Sequence, residues 1–477
     1  MTFRPIRPVA LAATIVGISI APSSAQVTES ELRAPPVPAQ RPGAKSAEKA
    51  PKLKTVPTPA VRPAPQPEAE APVAKPAAAH GAGDRQFTIT LGGDTGFSPH
   101  LAPVNPRTSS KGGRTLTFEQ AFAPISKDVN GELNMVNVET VVTERNDLTR
   151  DTKEQGQPFN FRSHPNGFTY LASRGVNLFS LANNHSMDFG EQGLRDTLKN
   201  VAGMEKSGLK AYAGVGLNRE EASRPKVVTA NDAKVGFAAI GIVTNNLERH
   251  RAGDNKPGQI AYRFDDDFRL VVDRLKQAKA DYRMLSIHYG VEGFVRADTD
   301  QLTNWRREAK NGVDLIVGHH AHVVRGVEMT ANGALIFYGL GNFMHHGTAN
   351  ITGNPVCRSY GLFARVHVGQ GADGKWRTRA VEAIPVTDVH ISPRRYSSLE
   401  QSHYRIHALN YLGETLNDAA SGAKGLRFTP QADGSGLYCT EGAANDGGKI
   451  GALCKGWKPA PDMPSAQRGG IAASCAR

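Results

Sequence analysis

The sequence predicts an α/β protein with its functional site along one edge of the sheets, on three observations. Short apolar runs bounded by glycine, such as 313–317 and 334–338, have the length and flanks of strands buried on both faces. Longer stretches with helix start signals alternate with them, as in α/β units. Asp, Asn, Glu and His recur just past the strands, where open α/β sheets present their ligands.

Taken in order, residues 87–91 alternate as a strand and run into Gly92-Gly93-Asp94, where glycine lets the chain turn and offer a carboxylate. A helix is expected over 117–128, then a strand over 134–138 ending at Asn137 and Glu139. Pro165 suits the first turn of a helix over 165–174. The strand 176–181 ends in Asn183-Asn184-His185-Ser186-Met187-Asp188, a polar group that packing does not explain. A helix over 193–204, a strand over 210–216 and a hairpin of 226–229 with 235–242 follow. An acidic first turn suits the dipole of a helix over 265–280. The strand 283–287 runs into His288-Tyr289-Gly290-Val291-Glu292. A helix over 303–311 precedes the strand 313–317 and the loop Gly318-His319-His320-Ala321-His322. Imidazoles at i and i+2 on a loop can aim two nitrogens at one point, which metal binding requires. The strand 334–338 ends in Gly339-Leu340-Gly341-Asn342-Phe343, with Asn342 expected to tie the loop and His345 and His346 expected as a solvated pair. Antiparallel strands over 362–368 and 379–386 and a helix over 399–416 complete the elements.

Composition bounds the rest. Residues 1–25 carry Arg4 and Arg7, a short apolar run and Ser23-Ser24-Ala25, the three-part pattern of a secretory signal peptide, with an uncleaved anchor as the alternative. Residues 26–85 hold 12 of the 30 prolines and almost no aromatics, so they cannot bury enough apolar surface to fold and are expected as a disordered tether. The net charge of +12 is spread thinly, without the basic and aromatic clusters of a nucleic-acid binder. Cys357, Cys439, Cys454 and Cys475 suggest two disulfides in an exported protein, Cys439 with Cys454 closing the shortest loop.

Five segments thus offer convergent groups: Asp94; Asn137 with Glu139; Asn184, His185 and Asp188; His288 with Glu292; and His320 with His322. Mixed carboxylate, amide and imidazole donors suit Mn, Zn or Fe without distinguishing them. The pieces Gly93-Asp94, Asn137-Val138-Glu139, Asn183-Asn184-His185 with Asp188 and Gly190, His288-Tyr289-Gly290-Val291-Glu292, Gly318-His319-His320-Ala321-His322-Val323 and Tyr338-Gly339-Leu340-Gly341-Asn342-Phe343 occur in the order of a known family. Through them the chain resembles the capsule synthesis CapA/PgsA family of poly-γ-glutamate biosynthesis, a branch of the calcineurin-like metallophosphatase superfamily. The resemblance covers a domain placed at 86–390, and 391–477 is read as a C-terminal extension.

That resemblance implies a four-layer αββα sandwich and one or two divalent metal ions. It implies Asp94, Glu139, Asn184, His288, His320 and His322 as metal ligands, with Glu139 where the superfamily has a bridging aspartate. It implies His185 as the group that donates a proton or stabilises the transition state, with Asp188 orienting it. Asn137, Glu292 and His319 are expected behind or beside the ligands. Two departures bear on the metal count. The position two after Asp94, a histidine in classical metallophosphatases, is Gly96, and Asn137-Val138-Glu139 replaces the usual Gly-Asp-x-x-Asp. One metal position is therefore expected to lack an imidazole. The function implied is that of an exported metal-dependent hydrolase or transferase in capsule or poly-γ-glutamate biosynthesis, acting on a phosphoester or amide. The alternative is a non-catalytic binding or assembly factor for an anionic envelope polymer. Partners implied are that polymer or its precursor and the membrane capsule-synthesis proteins.

Overall fold

Two β-sheets lie face to face because each has an apolar face that the other covers. The computed structural model describes residues 85–475 apart from 99, 107, 112–113, 154–157, 243–247 and 348–355. The signal peptide expected at 1–25 and the tether expected at 26–85 lie outside the described residues, save Arg85. No helix among the described residues is long and apolar enough to cross a membrane.

Among the described residues the first sheet has ten strands. Its centre is the strand Gln86–Gly96, flanked by Gly361–Gln370 on one side and Leu133–Val138 on the other. Leu178–Ser180 and Ala211–Ala213 extend the parallel half, and the short strand Asn342–His345 lies parallel beside the end of Gln86–Gly96. Trp376–Thr387, Gly436–Cys439 and Thr429–Pro430 extend the antiparallel half. Residues past 390, read as an extension from the sequence, therefore add strands to this sheet.

The second sheet has seven strands among the described residues, with a parallel centre of Ala233–Gly241, Tyr282–His288, Leu315–His319 and Leu335–Phe337. Leu91, Met135 and Leu178 of the first sheet and Phe237, Met284, Val317 and Phe337 of the second share one core between the sheets. The outer face of the first sheet is covered by the helices Phe118–Ser126, Pro165–Ser173 and Gly190–Gly203, through Phe122, Phe168 and Leu194. The outer face of the second is covered by Asp265–Gln277 and Thr299–Lys310, through Phe268, Val272 and Trp305. The fold is the four-layer αββα sandwich that the sequence implied.

Local chemistry explains the element ends. Thr117 caps its helix in a reciprocal box with Gln120, and Pro165 stands in the first turn of its own. The helix expected from 303 begins at Thr299, because Asp298 accepts from the N–H of Gln301 at 2.9 Å while Gln301 returns the contact to the Asp298 N–H at 3.2 Å. Two disulfides, Cys439–Cys454 as preferred from the sequence and Cys357–Cys475, hold the C-terminal segments.

Candidate metal centre

The C-terminal ends of parallel strands from both sheets meet at one place. From the first sheet come Asp94, Asn137 and Glu139, and the turn carrying Asn184, His185 and Asp188. From the second come His288 and the loop that begins at His319. The approach is close: a β-carbon at Gly93 would lie 1.9 Å from the Gly341 carbonyl oxygen, and that same oxygen accepts from the Asp94 N–H at 3.0 Å. The histidine loop is wound tightly, with His320 at φ 84° and His322 at φ 56°. Non-glycine residues rarely hold that left-handed conformation, at a cost of about 1–3 kcal/mol each, and such strain clusters at functional sites. Here it turns side chains at i and i+2 toward a single carboxylate.

That carboxylate is Glu139. It is fully buried, and neither of its oxygens accepts a hydrogen bond from a described residue. Its Oε1 lies 3.3 Å from His288 Nε2, 3.6 Å from His322 Nε2 and 4.0 Å from His185 Nε2, and its Oε2 lies 3.5 Å from His345 Nε2. Asp94 Oδ2 is 3.3 Å from His322 Nδ1, and Asn184 Oδ1 is 2.7 Å from His288 Nε2. His320 Nδ1 is 3.1 Å from His288 Nε2. Ligands about 2.1 Å from one ion stand about 3–3.5 Å from each other, so most of these spacings are those of a coordination shell. Two groups of donors each gather within 4.8 Å, Glu139 with His288 and His320, and Glu139 with Asp94 and His322. Glu139 belongs to both, as a bridging carboxylate would. A buried carboxylate with no hydrogen-bond donor is costly unless a cation compensates it. The donor set therefore fits one or two divalent ions.

Electrostatics divide the two acids. Burial pushes Glu139 well above the usual carboxylate range, the nearby His322 opposing this and Asp94 adding to it. Burial also acts to raise Asp94, but its contacts to His319 and His322 prevail and hold it well below the usual range. Burial lowers His322, yet Glu139 and Asp94 outweigh it and bring His322 to about 10. Burial and the charge of His322 drop His320 to about 3, keeping a neutral imidazole suited to ligation.

Beside this cluster stands a second arrangement. His185 Nδ1 is 2.6 Å from Asp188 Oδ2, and Asp188 also accepts from the Phe161 N–H at 2.6 Å. Lys153 Nζ lies 2.5 Å from Asp188 Oδ1 and 3.2 Å from His185 Nδ1, and donates to the Phe159 carbonyl at 2.8 Å. All three side chains are buried. Burial raises Asp188 to about 7 against the pull of Lys153, and burial with the Lys153 charge holds His185 well below its usual value. The His185 ring is thus fixed at Nδ1 and turns Nε2 toward Glu139.

The structure brings Asp94, Glu139, Asn184, His185, His288, His320 and His322 to one buried site, with Asp188 behind His185. Asn137 donates to Asp94 Oδ1 at 2.8 Å and lies 3.1 Å from His288 Nδ1, supporting both. His319 is buried with Nδ1 3.3 Å from Asp94 Oδ1. Glu292 is half exposed at the rim, 4.0 Å from His320 Nε2, on a loop pinned by the buried Arg325 through the carbonyls of Val291 and Phe294. Asn342 Oδ1 contacts His322 Nδ1 at 2.9 Å. One expectation is corrected: His345 and His346 are not a solvated pair but are both 1% exposed, because the strand Asn342–His345 inserts beside the Asp94 strand. Lys153 escaped notice because a lysine before a polar loop carries no signal of burial; only its contact with Asp188, 35 positions away, reveals it.

The family model for the bacterial capsule synthesis protein PGA_cap matches residues 88–346, more than half of the 477-residue chain. The PGA biosynthesis protein CapA of Bacillus subtilis (strain 168) is 27% identical over 254 residues, 53% of this chain and 62% of that protein. The capsule biosynthesis protein CapA of Bacillus anthracis is 29% identical over 176 residues, 36% of this chain and 40% of that protein. The aligned part thus spans between 40% and 62% of these relatives' length. Among solved structures, the 5'-nucleotidase from Candida albicans SC5314 overlaps 60% of this chain and 52% of its own, with a TM-score of 0.33 and 9% identity.

Proposed function

The chain belongs to the bacterial capsule synthesis family PGA_cap, and from that premise we propose that it is a metal-dependent hydrolase or transferase acting on a phosphoester or amide during capsule or poly-γ-glutamate biosynthesis. The observation that carries this reading is the Glu139 carboxylate, buried without a hydrogen-bond donor among the described residues and faced by the imidazoles of His288, His322 and His345 within 3.6 Å. Asp94, Glu139, Asn184, His288, His320 and His322 would hold the metal. A divalent ion in such a site supplies Lewis acidity to a phosphoryl or carbonyl oxygen and makes water more acidic.

The chain's own residues supply the rest. His185, anchored at Nδ1, offers Nε2 to the reacting centre, and a proton taken up at Nε2 would pass from there to a leaving oxygen or nitrogen. Asp188 fixes the ring, and Lys153 balances the charge of Asp188. Glu292 at the rim is placed to touch substrate. An anionic envelope polymer or its precursor is the proposed substrate, with the membrane-bound synthesis machinery as partner. Export through residues 1–25 is part of the same proposal.

Metal content by ICP-MS, measured beside turnover of phosphomonoester, phosphodiester and γ-glutamyl amide substrates, tests this. Bound transition metal with turnover of one class is expected, and His320→Ala is expected to lose most of both. A protein that takes up no metal after reconstitution would refute the catalytic reading and leave a binding or assembly role.

A further inference from the structure

Gly96 occupies the place where the metallophosphatase pattern has an imidazole, so from sequence one metal position looked short of a ligand. The structure places His345 opposite that gap. Gly96 and His345 are paired in register on adjacent parallel strands, and the His346 N–H donates to the Gly96 carbonyl at 2.9 Å. A β-carbon built at Gly96 would lie 3.4 Å from the Glu139 carbonyl oxygen and 3.7 Å from Cδ2 of the His345 ring, in contact range of this imidazole. His345 Nε2 is 3.5 Å from Glu139 Oε2, whereas the His288 and His322 nitrogens face Oε1. The ring lies 5.4 Å from that of His322 and is braced edge-on by Phe161 at 5.2 Å.

We infer that His345 is a metal ligand that replaces, from the neighbouring strand, the imidazole missing at Gly96, so that the site holds two ions. One position takes Glu139, Asn184, His288 and His320. The other takes Asp94, Glu139, His322 and His345. The Gly347 N–H lies 3.2 Å from His345 Nδ1, which places the ring proton on Nε2 while that nitrogen faces the carboxylate. Ligation moves the proton to Nδ1 and gives up the Gly347 contact.

The inference rests on the metal-centre reading above, and the test separates the two. Chelator-stripped full-length protein is titrated with Mn(II) by calorimetry, bound metal is counted by ICP-MS, and folding is followed by circular dichroism. Two equivalents are expected for the natural chain, one for His345→Ala, and two again for the double variant Gly96→His/His345→Ala, in which the imidazole returns from the adjacent strand. Recovery of the second equivalent in the double variant supports ligation even if His345→Ala loses both ions. Two equivalents in His345→Ala, or a loss of both that Gly96→His does not reverse, would overturn it. A natural chain that binds one ion, removed by His320→Ala but untouched by His345→Ala, would overturn this inference while sparing the metal centre. A natural chain that binds none would overturn both.

Discussion

At the scale of single residues, the site concentrates cost. His320 sits at φ 84°, a conformation open to glycine and strained for any other residue. His320→Gly and His320→Ala both remove the imidazole, but the glycine variant is expected to be more stable by about 1 kcal/mol, because only alanine retains the backbone strain. Paired denaturant titrations measure the difference. Lys153 is a buried cation whose partner Asp188 is buried too. Lys153→Met leaves that acid buried without its cation and is expected to cost about 3–5 kcal/mol while Asp188 is ionised; because Lys153 is what holds the Asp188 titration down to about 7, that titration moves up in the variant and the cost shrinks as pH falls through it. Removing the lysine charge also raises the pH at which His185 titrates, since that charge is one of the forces holding it down. An NMR titration of the imidazole reads the shift, and a downward shift would refute the assigned contact.

At the scale of elements, strands present chemistry at one end and structure at the other. Asp314 stands at the entry of the strand Leu315–His319, at the opposite end from the ligands at its exit, and accepts from the Arg283 N–H at 2.7 Å. Burial raises its carboxyl to about 6, against that hydrogen bond and the Arg283 charge. A raised acid favours the folded state when protonated. Its contribution is therefore complete below about pH 4, the range of an unfolded carboxyl, and is lost as pH rises through about 6. Asp314→Asn removes this titration, so the melting temperature of the variant relative to the natural chain is expected to rise between pH 4 and pH 7. The elements themselves were largely legible. The buried strands at 134–138, 283–287 and 313–317 showed as apolar runs, and each ends within a residue or two of where glycine or a polar ligand interrupts it. The helix at Thr299–Lys310 began early because its capping box precedes the first apolar residue of its periodicity. The short strand Asn342–His345 was not legible, because four residues have no periodicity of their own.

At the scale of the whole molecule, the C-terminal segments are tied to the sandwich by pairing and by covalent bonds. The strand Gly436–Cys439 joins the first sheet beside Trp376–Thr387, and Cys357–Cys475 spans 118 residues against 15 for Cys439–Cys454. Chain-entropy arguments assign about 4.7 kcal/mol to a loop of about 100 residues and about 3 kcal/mol to one of about 15. The Cys357→Ser/Cys475→Ser pair is therefore expected to lose more stability than Cys439→Ser/Cys454→Ser, by about 1–2 kcal/mol in equilibrium denaturation. Equal losses would mean that native packing, rather than loop closure, sets the contribution.

The amino-acid sequence alone determined the α/β class and the ordering of strands and helices, and it nominated residues with ligand chemistry at the strand ends, because apolar periodicity and glycine punctuation are local properties of the chain. It also exposed the missing imidazole at Gly96. Only the tertiary structure places His345 beside Gly96 and Lys153 behind His185. His345 and Lys153 lie far along the chain from the groups they face, and their roles follow from strand register and burial, which arise when two sheets close on each other and no short stretch encodes by itself.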